Sequence, residues 1–121
     1  MAKGDDIQER LIDFAVNIIQ LIAKFPKSPA GKHVSNQILR SGTSPAPNYA
    51  EARSAESPND FIHKLKIALK ELNETKVWLQ IIVRSQMILI NEFFGLQNEC
   101  DELCRIISAS VKTAIKRRNN N

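Results

Sequence analysis

Arg40-Ser41-Gly42-Thr43-Ser44-Pro45-Ala46-Pro47-Asn48-Tyr49-Ala50-Glu51-Ala52-Arg53 is the one stretch where prolines and small polar residues interrupt a chain otherwise rich in leucine, isoleucine and alanine. A proline inside a helix removes a backbone hydrogen bond and presses on the preceding turn. The stretch therefore marks either a bend required by the fold or a functional site. Apolar residues at helical spacing before it (Val34, Ile38, Leu39) and a resumed helical run over 48–53 favour the bend. Residues from about 29 to 55 read as two short helices or one bent helix, kinked at Pro45 and Pro47.

Upstream, residues 5 to about 25 carry Ile7, Leu11, Phe14, Ile18, Leu21 and Phe25 in alternating steps of four and three, one stripe of a helix. Asp5, Asp6 and Glu9 open it and Lys24 closes it, as the helix dipole favours, and Pro26 and Pro29 stop it. Ile12, Val16, Ile19, Ile22 and Ala23 form a second apolar stripe, more than one bundle core can use.

Downstream, Ser57-Pro58-Asn59-Asp60 supplies an N-cap, a proline at the first helical position and an acid at the capping-box position. The helix it starts runs to about residue 84, with Phe61, Leu65, Ala68, Leu69, Leu72, Leu79 and Ile82 toward the core. A neighbouring face mixes Ile67, Glu71, Glu74, Trp78 and Ile81. After Met87-Ile88-Leu89-Ile90, Asn91 is expected to cap a last helix carrying Leu96, Cys100, Leu103, Ile107, Ser110 and Ala114 inward. Its acids come early and its Lys112, Lys116, Arg117 and Arg118 late, again matching the dipole.

Four such segments with short connections predict an all-α, antiparallel, up-and-down four-helix bundle. The 121 residues suit one domain over 1–121, with frayed ends at 1–4 and 117–121. Only four glycines occur beside 43% hydrophobic residues, which suits helices better than sheet. The doubly apolar helices predict lateral association into a homo-oligomer. No apolar run is long enough to span a bilayer, and the opening Met-Ala-Lys-Gly-Asp-Asp lacks the regions of a secretory signal, so the expected location is cytoplasmic, with no membrane partner. Cys100 and Cys104, four apart on one helix, then read as reduced core thiols rather than a disulfide or half of a metal site.

No phosphate-binding glycine loop, metal-spaced Cys or His cluster, or nucleophile elbow is present, so no enzyme and no cofactor are expected. Di-iron bundles use Glu-x-x-His, whereas Glu71-Leu72-Asn73-Glu74 ends in glutamate, which argues against a metal. The polar residues Arg40, Ser41, Ser44, Asn48, Glu51, Glu71 and Glu74 read instead as a structural network. In it Arg40, with Arg53, pairs with the glutamates, while Ser41, Thr43, Ser44 and Asn48 satisfy backbone groups freed by the prolines. The net charge of +4 is spread among thirteen carboxylates and is no nucleic-acid signature by itself. Lys64, Lys66, Lys70, Lys112, Lys116, Arg117 and Arg118 are candidate phosphate contacts, against the alternative of solvated helix faces. With Tyr49 and Trp78 the only aromatics besides phenylalanine, base stacking has little to work with.

Leu39-Arg40-Ser41-Gly42-Thr43-Ser44, Asn48, Ala50-Glu51-Ala52, Ser57, Asp60-Phe61-Ile62, Lys64-Leu65, Ile67-Ala68-Leu69-Lys70-Glu71 and Asn73-Glu74-Thr75 together resemble the bacterial four-helix-bundle proteins named for 23S ribosomal RNA intervening sequences. The resemblance is densest over about 36–84. It implies a left-handed up-and-down bundle, often a ring-shaped homopentamer, without an established enzymatic activity. The name records where some of the genes sit and does not itself imply ribosomal RNA binding. A distant relative of the fold, the accessory protein of diversity-generating retroelements, is a basic pentamer that works with nucleic acid. Two function classes follow: an oligomeric binder of RNA or DNA, and a scaffold for an unidentified protein. Pro45 together with Pro47 departs from the family pattern, where one proline or none is common.

Overall fold

Helix α1 (Asp5–Ile22) ends one turn before the proline that should stop it, because the backbone tightens after Leu21: the Lys24 and Phe25 amides donate to the Leu21 and Ile22 carbonyls. Phe25 still tucks into the core. Ser28 then caps α2 (Pro29–Thr43), its hydroxyl accepting from the Gly31 amide at 3.1 Å with Pro29 at the first helical position. A single residue, Ser44, separates α2 from α3 (Pro45–Arg53). Helix α4 (Pro58–Arg84) starts on Ser57, whose hydroxyl accepts from the Asp60 amide at 3.0 Å, and α5 (Ile90–Asn119) completes the chain. These elements belong to a computed structural model that describes residues 4–120. Of the ends expected to fray, 1–3 and 121 lie outside the described residues; α5 itself continues to Asn119.

The five helices make four rods, because α2 and α3 form one bent rod. Ser44 keeps helical dihedrals (φ −67°, ψ −35°), and its amide still donates to the Arg40 carbonyl at 3.1 Å. Pro45 and Pro47 bring no amide hydrogen, so the carbonyls of Ser41 and Thr43 lose their usual helical donors. The outcome is the bent helix of the two expected alternatives. Each rod neighbours two others: α1 packs on the α2–α3 rod and on α5, α4 packs on the same two, and α1 faces α4 across the core. This is the antiparallel up-and-down four-helix bundle.

Leu11, Phe14, Ile18 and Leu21 of α1 meet Ile38 of α2, Leu65, Leu72, Leu79 and Ile82 of α4, and Leu103 and Ile107 of α5 in one cluster. Inward positions on α4 and α5 and the cap of α5 need correction. On α4, Ile62 and Thr75 are buried, while Phe61 and Leu69 pack only partly. On α5 the buried stripe is Phe93, Cys100, Leu103, Cys104, Ile107 and Val111, with Ser110 and Ala114 at its margin. Asn91 does not cap α5, which begins at Ile90 with Leu89 in the capping position and no side-chain cap. The turn before it also relies on an unexpected residue: Gln86 takes φ 63°, so the Met87 amide reaches the Ile82 carbonyl at 2.9 Å and closes the end of α4.

Glycine sets how closely the rods approach. A Cβ on Gly31 would lie 2.0 Å from the Pro26 carbonyl oxygen, and one on Gly42 would lie 2.9 Å from Ile18 Cγ1. Gly95 faces open space. Gly31→Ala and Gly42→Ala are therefore expected each to destabilise the fold by about 1–3 kcal/mol, by displacing the loop and crowding Ile18. Gly95→Ala should stabilise it by about 0.5–1 kcal/mol through helix propensity. Denaturant unfolding of the three variants checks the contrast; equal effects at 31 and 95 would contradict the packing argument.

Candidate nucleic-acid interface

The bend presents Arg40 to one flank of α4. Its Nη1 donates to Glu71 Oε2 at 2.7 Å, its Nη2 bonds Glu74 Oε2, and Gln37 accepts at 3.4 Å. Burial works against the Arg40 charge, but Glu71 and Glu74 outweigh it and raise the guanidinium pKa. Trp78 Nε1 donates to Glu74 at 3.0 Å and packs edge-on to His33, so this tryptophan is held as a wall of the network rather than as a free stacking platform. Arg40 is about half exposed, so the ion pairs order the flank more than they stabilise the fold. Beneath it, the Ser41 and Thr75 hydroxyls lie 2.9 Å apart with no exposure, and Thr75 is 2.8 Å from the Glu71 carbonyl. Asn48 Nδ2 donates to both the carbonyl (3.0 Å) and hydroxyl (2.9 Å) of Ser44.

Arg40, Ser41, Glu71 and Glu74 thus meet at one level of the bundle, and Ser44 and Asn48 sit together at the bend. Glu51 stands apart, receiving Lys64 at 3.2 Å. Arg53 turns to α1, where it bonds Gln8 at 2.9 Å and Asp5 at 2.7 Å.

The opposite flank of α4 carries the basic groups. Three links fix the antiparallel register of α4 and α5: Arg118 to Asn59 at 3.0 Å, Lys76 to Asp101 at 3.1 Å, and Cys104 to Asn73 at 3.6 Å. Small side chains at Ser108 and Ala109 oppose Leu69 and Asn73, leaving a groove walled by Lys76, Asp101, Arg105 and Lys112. Lys66, Lys70 and Asn73 follow one another along its α4 rim at helical spacing, and the register sets Lys66 level with Lys112. On the α5 rim, Arg105, Lys112 and Lys116 lie on one stripe, all exposed. Among the described residues, no carboxylate pairs with Lys66, Lys70, Arg105, Lys112 or Lys116.

The other candidates lie elsewhere. Lys64 faces α3 and Glu51, Arg117 lines the bundle end beside Tyr49 and Arg53, and Arg118 is held by Asn59. Arg105 is absent from the candidates chosen on sequence, although its spacing of seven from Lys112 places it on the same stripe. Continued toward the α4–α5 turn, the basic rims become apolar, with Val77, Ile81, Ile90 and Phe94 exposed. A second exposed apolar row, Ile12, Val16 and Ile19, lies on α1 beside exposed Glu9 and Asp13.

In a comparison with known sequences, residues 5–109 match the 23S rRNA-intervening sequence proteins. The chain belongs to this family. A protein of unknown function from the S23 ribosomal protein family of Bacteroides thetaiotaomicron, known from a crystal structure at 1.70 Å resolution, is 37% identical to it. The two superpose with a TM-score of 0.82, over 88% of this chain and 98% of that one. No curated protein matches the chain. Neither the family description nor that of the solved relative names an enzymatic activity. The family match takes in Lys66, Lys70 and Arg105 but ends before Lys112 and Lys116. Among the described residues, no helix is long and apolar enough to cross a membrane, and no group of three His, Cys, Asp or Glu side chains is placed to hold a metal.

Proposed function

We propose that this member of the 23S rRNA-intervening sequence family is a non-enzymatic, ring-forming cytoplasmic protein that binds RNA or DNA through the phosphates. The observation that supports the reading is the sorting of the cations. Arg10, Arg40, Lys64 and Lys76 are each held by a carboxylate, whereas Arg105 and Lys112 line one groove without a carboxylate partner and Lys66, Lys70 and Lys116 follow on the same flank at helical spacing. Aligned cations of this kind neutralise phosphates and release counterions, which gives salt-sensitive affinity with little preference for sequence. Ring formation is supported by two unlike apolar patches, on α1 and at the α4–α5 turn, since a contact between unlike patches repeats head to tail and forms a ring where its rotation closes. The family resemblance supports five subunits. Two free thiols, both buried, suit a reducing cytoplasm.

A second reading, a scaffold for a protein partner, takes the lysines as solvated helix faces, interleaved along the chain with thirteen carboxylates, that keep the ring soluble. Light scattering of the protein alone, and mixed with structured RNA or duplex DNA at low and high salt, separates the two. A particle near five times the 13.6 kDa chain that takes up nucleic acid at low salt and releases it at high salt supports the first. A particle of that size that binds neither nucleic acid even at low salt supports the scaffold.

A further inference from the structure

The bundle is open at the end where α1 begins. Arg10 pairs with Glu99 at 2.6 Å and with Glu102 at 3.1 Å, which sets the start of α1 level with about residue 106 of the antiparallel α5. Beyond that level α5 runs on to Asn119, while α3, diagonally across, packs on α1, α2 and α4 but not on α5. The space left between them is a cleft of about 770 Å³, within the range of small-molecule sites. Phe61, Ile106, Ala109 and Ala114 give it apolar walls, and among the described residues no carboxylate lines it. Two polar groups converge on it with bonding capacity unused. Tyr49 is only 9% exposed, yet among the described residues its hydroxyl has no hydrogen-bond partner. Gly4, at φ 91°, passes over that hydroxyl without a side chain; a Cβ there would lie 2.8 Å from the hydroxyl oxygen. Burial pushes the Tyr49 pKa up, against Arg53 and with Asp6 adding, so the hydroxyl keeps its proton and is a donor without an acceptor. Arg117 also lines the cleft, and among the described residues no carboxylate pairs with it. Arg53, the other cation there, is already engaged by Asp5 at 2.7 Å and by Gln8 at 2.9 Å. One unanswered positive charge, one buried donor and apolar walls match a single carboxylate on an apolar body. A phosphate monoester would bring about two negative charges to that one cation.

We propose that this cleft is a binding site for a small apolar monocarboxylate. The carboxylate accepts a hydrogen bond from the Tyr49 hydroxyl and pairs with the Arg117 guanidinium, while the apolar body displaces water from Phe61 and Ile106. Tyr49 belongs to the core cluster and Phe61 packs against it, so these walls are held in place before a ligand arrives. Arg117, exposed in the last turn of α5, is the part that adjusts to the ligand. The site uses none of the cations of the α4–α5 groove, so it stands or falls independently of nucleic-acid binding.

The test is isothermal titration of the native, assembled protein with 2-naphthoate, and with 2-naphthamide as its neutral isostere. The expected result is one saturable site per chain for the carboxylate, with the amide weaker by about tenfold or more. Tyr49→Phe removes only the hydroxyl and should weaken the carboxylate by about threefold or more; Arg117→Ala should weaken it by about tenfold. Lys27→Ala removes an exposed cation at the other end of the bundle and should change neither affinity. Ala114→Trp fills the cleft and should abolish binding, with far-UV circular dichroism verifying the helices. No saturable binding up to about 1 mM 2-naphthoate, equal affinities for carboxylate and amide, unchanged affinity in Tyr49→Phe, or equal losses from Arg117→Ala and Lys27→Ala would overturn the proposal.

Discussion

Lys66→Glu combined with Lys70→Glu is expected to weaken RNA or DNA binding by about a hundredfold or more at low salt, and adding Lys112→Glu and Lys116→Glu should remove measurable binding. Position, rather than total charge, sets the effect. Both lysines are exposed, unpaired and on the α4 rim of the groove, so each substitution removes a cation from beside a phosphate and installs a repulsion at the same place. Each phosphate left without its lysine should also flatten the dependence of log affinity on log salt by about 0.7 for single strands and about 0.9 for duplex. Lys27→Glu with Lys32→Glu changes net charge equally, on exposed residues next to the start of α2, well away from the groove. That control should retain most of the affinity. Fluorescence anisotropy across a salt series reads both quantities, and far-UV circular dichroism confirms the helices. Equal effects of the two double variants would mean that the bundle acts only as a diffuse cation.

The bend and its neighbours could be read in the sequence because proline and capping residues act locally. Pro45 and Pro47 remove backbone donors wherever they sit, and Ser57-Pro58-Asn59-Asp60 begins a helix by its own hydrogen bond. Partial legibility of the core has a geometric cause. Stepping strictly by four and three follows 3.5 residues per turn, whereas a straight helix has 3.6, so the inferred stripe drifts by about 20° per heptad. Over α5 that drift shifts the expectation to Ser110 and Ala114 while Val111 stays buried. Thr75 was hidden for another reason: its hydroxyl is tolerated in the core only because Ser41 and the Glu71 carbonyl receive it, a match between two helices that neither helix shows by itself. The groove was hidden likewise, since it arises where small residues of α5 oppose Leu69 and Asn73 of α4. Lysine spacing along the chain therefore groups Lys64 with Lys66, although the two point to opposite flanks of one helix.

Replacing Ile12, Val16 and Ile19 by serine is expected to collapse the proposed ring to a 13.6 kDa monomer with its helix content intact. All three are well exposed, at 38%, 44% and 50%, so the substitutions leave the bundle core untouched and remove apolar surface that only another molecule can cover. Val77→Ser with Phe94→Ser should do the same from the other patch, where exposure reaches 59% and 53%. The decisive measurement is light scattering of the two variants mixed. If the α1 row of one subunit meets the α4–α5 turn of the next, each variant keeps one sound patch, and the mixture forms a heterodimer and stops there. If instead like patches pair, the variant with its sound α1 row, or the one with its sound turn, remains associated by itself. The same samples bear on binding: a monomer presents one groove where a ring presents several, and the fall in effective concentration should weaken nucleic-acid affinity by about 10²-fold or more even though every lysine is in place. A monomer that bound as tightly as the ring would show that a single groove suffices and that association serves another purpose.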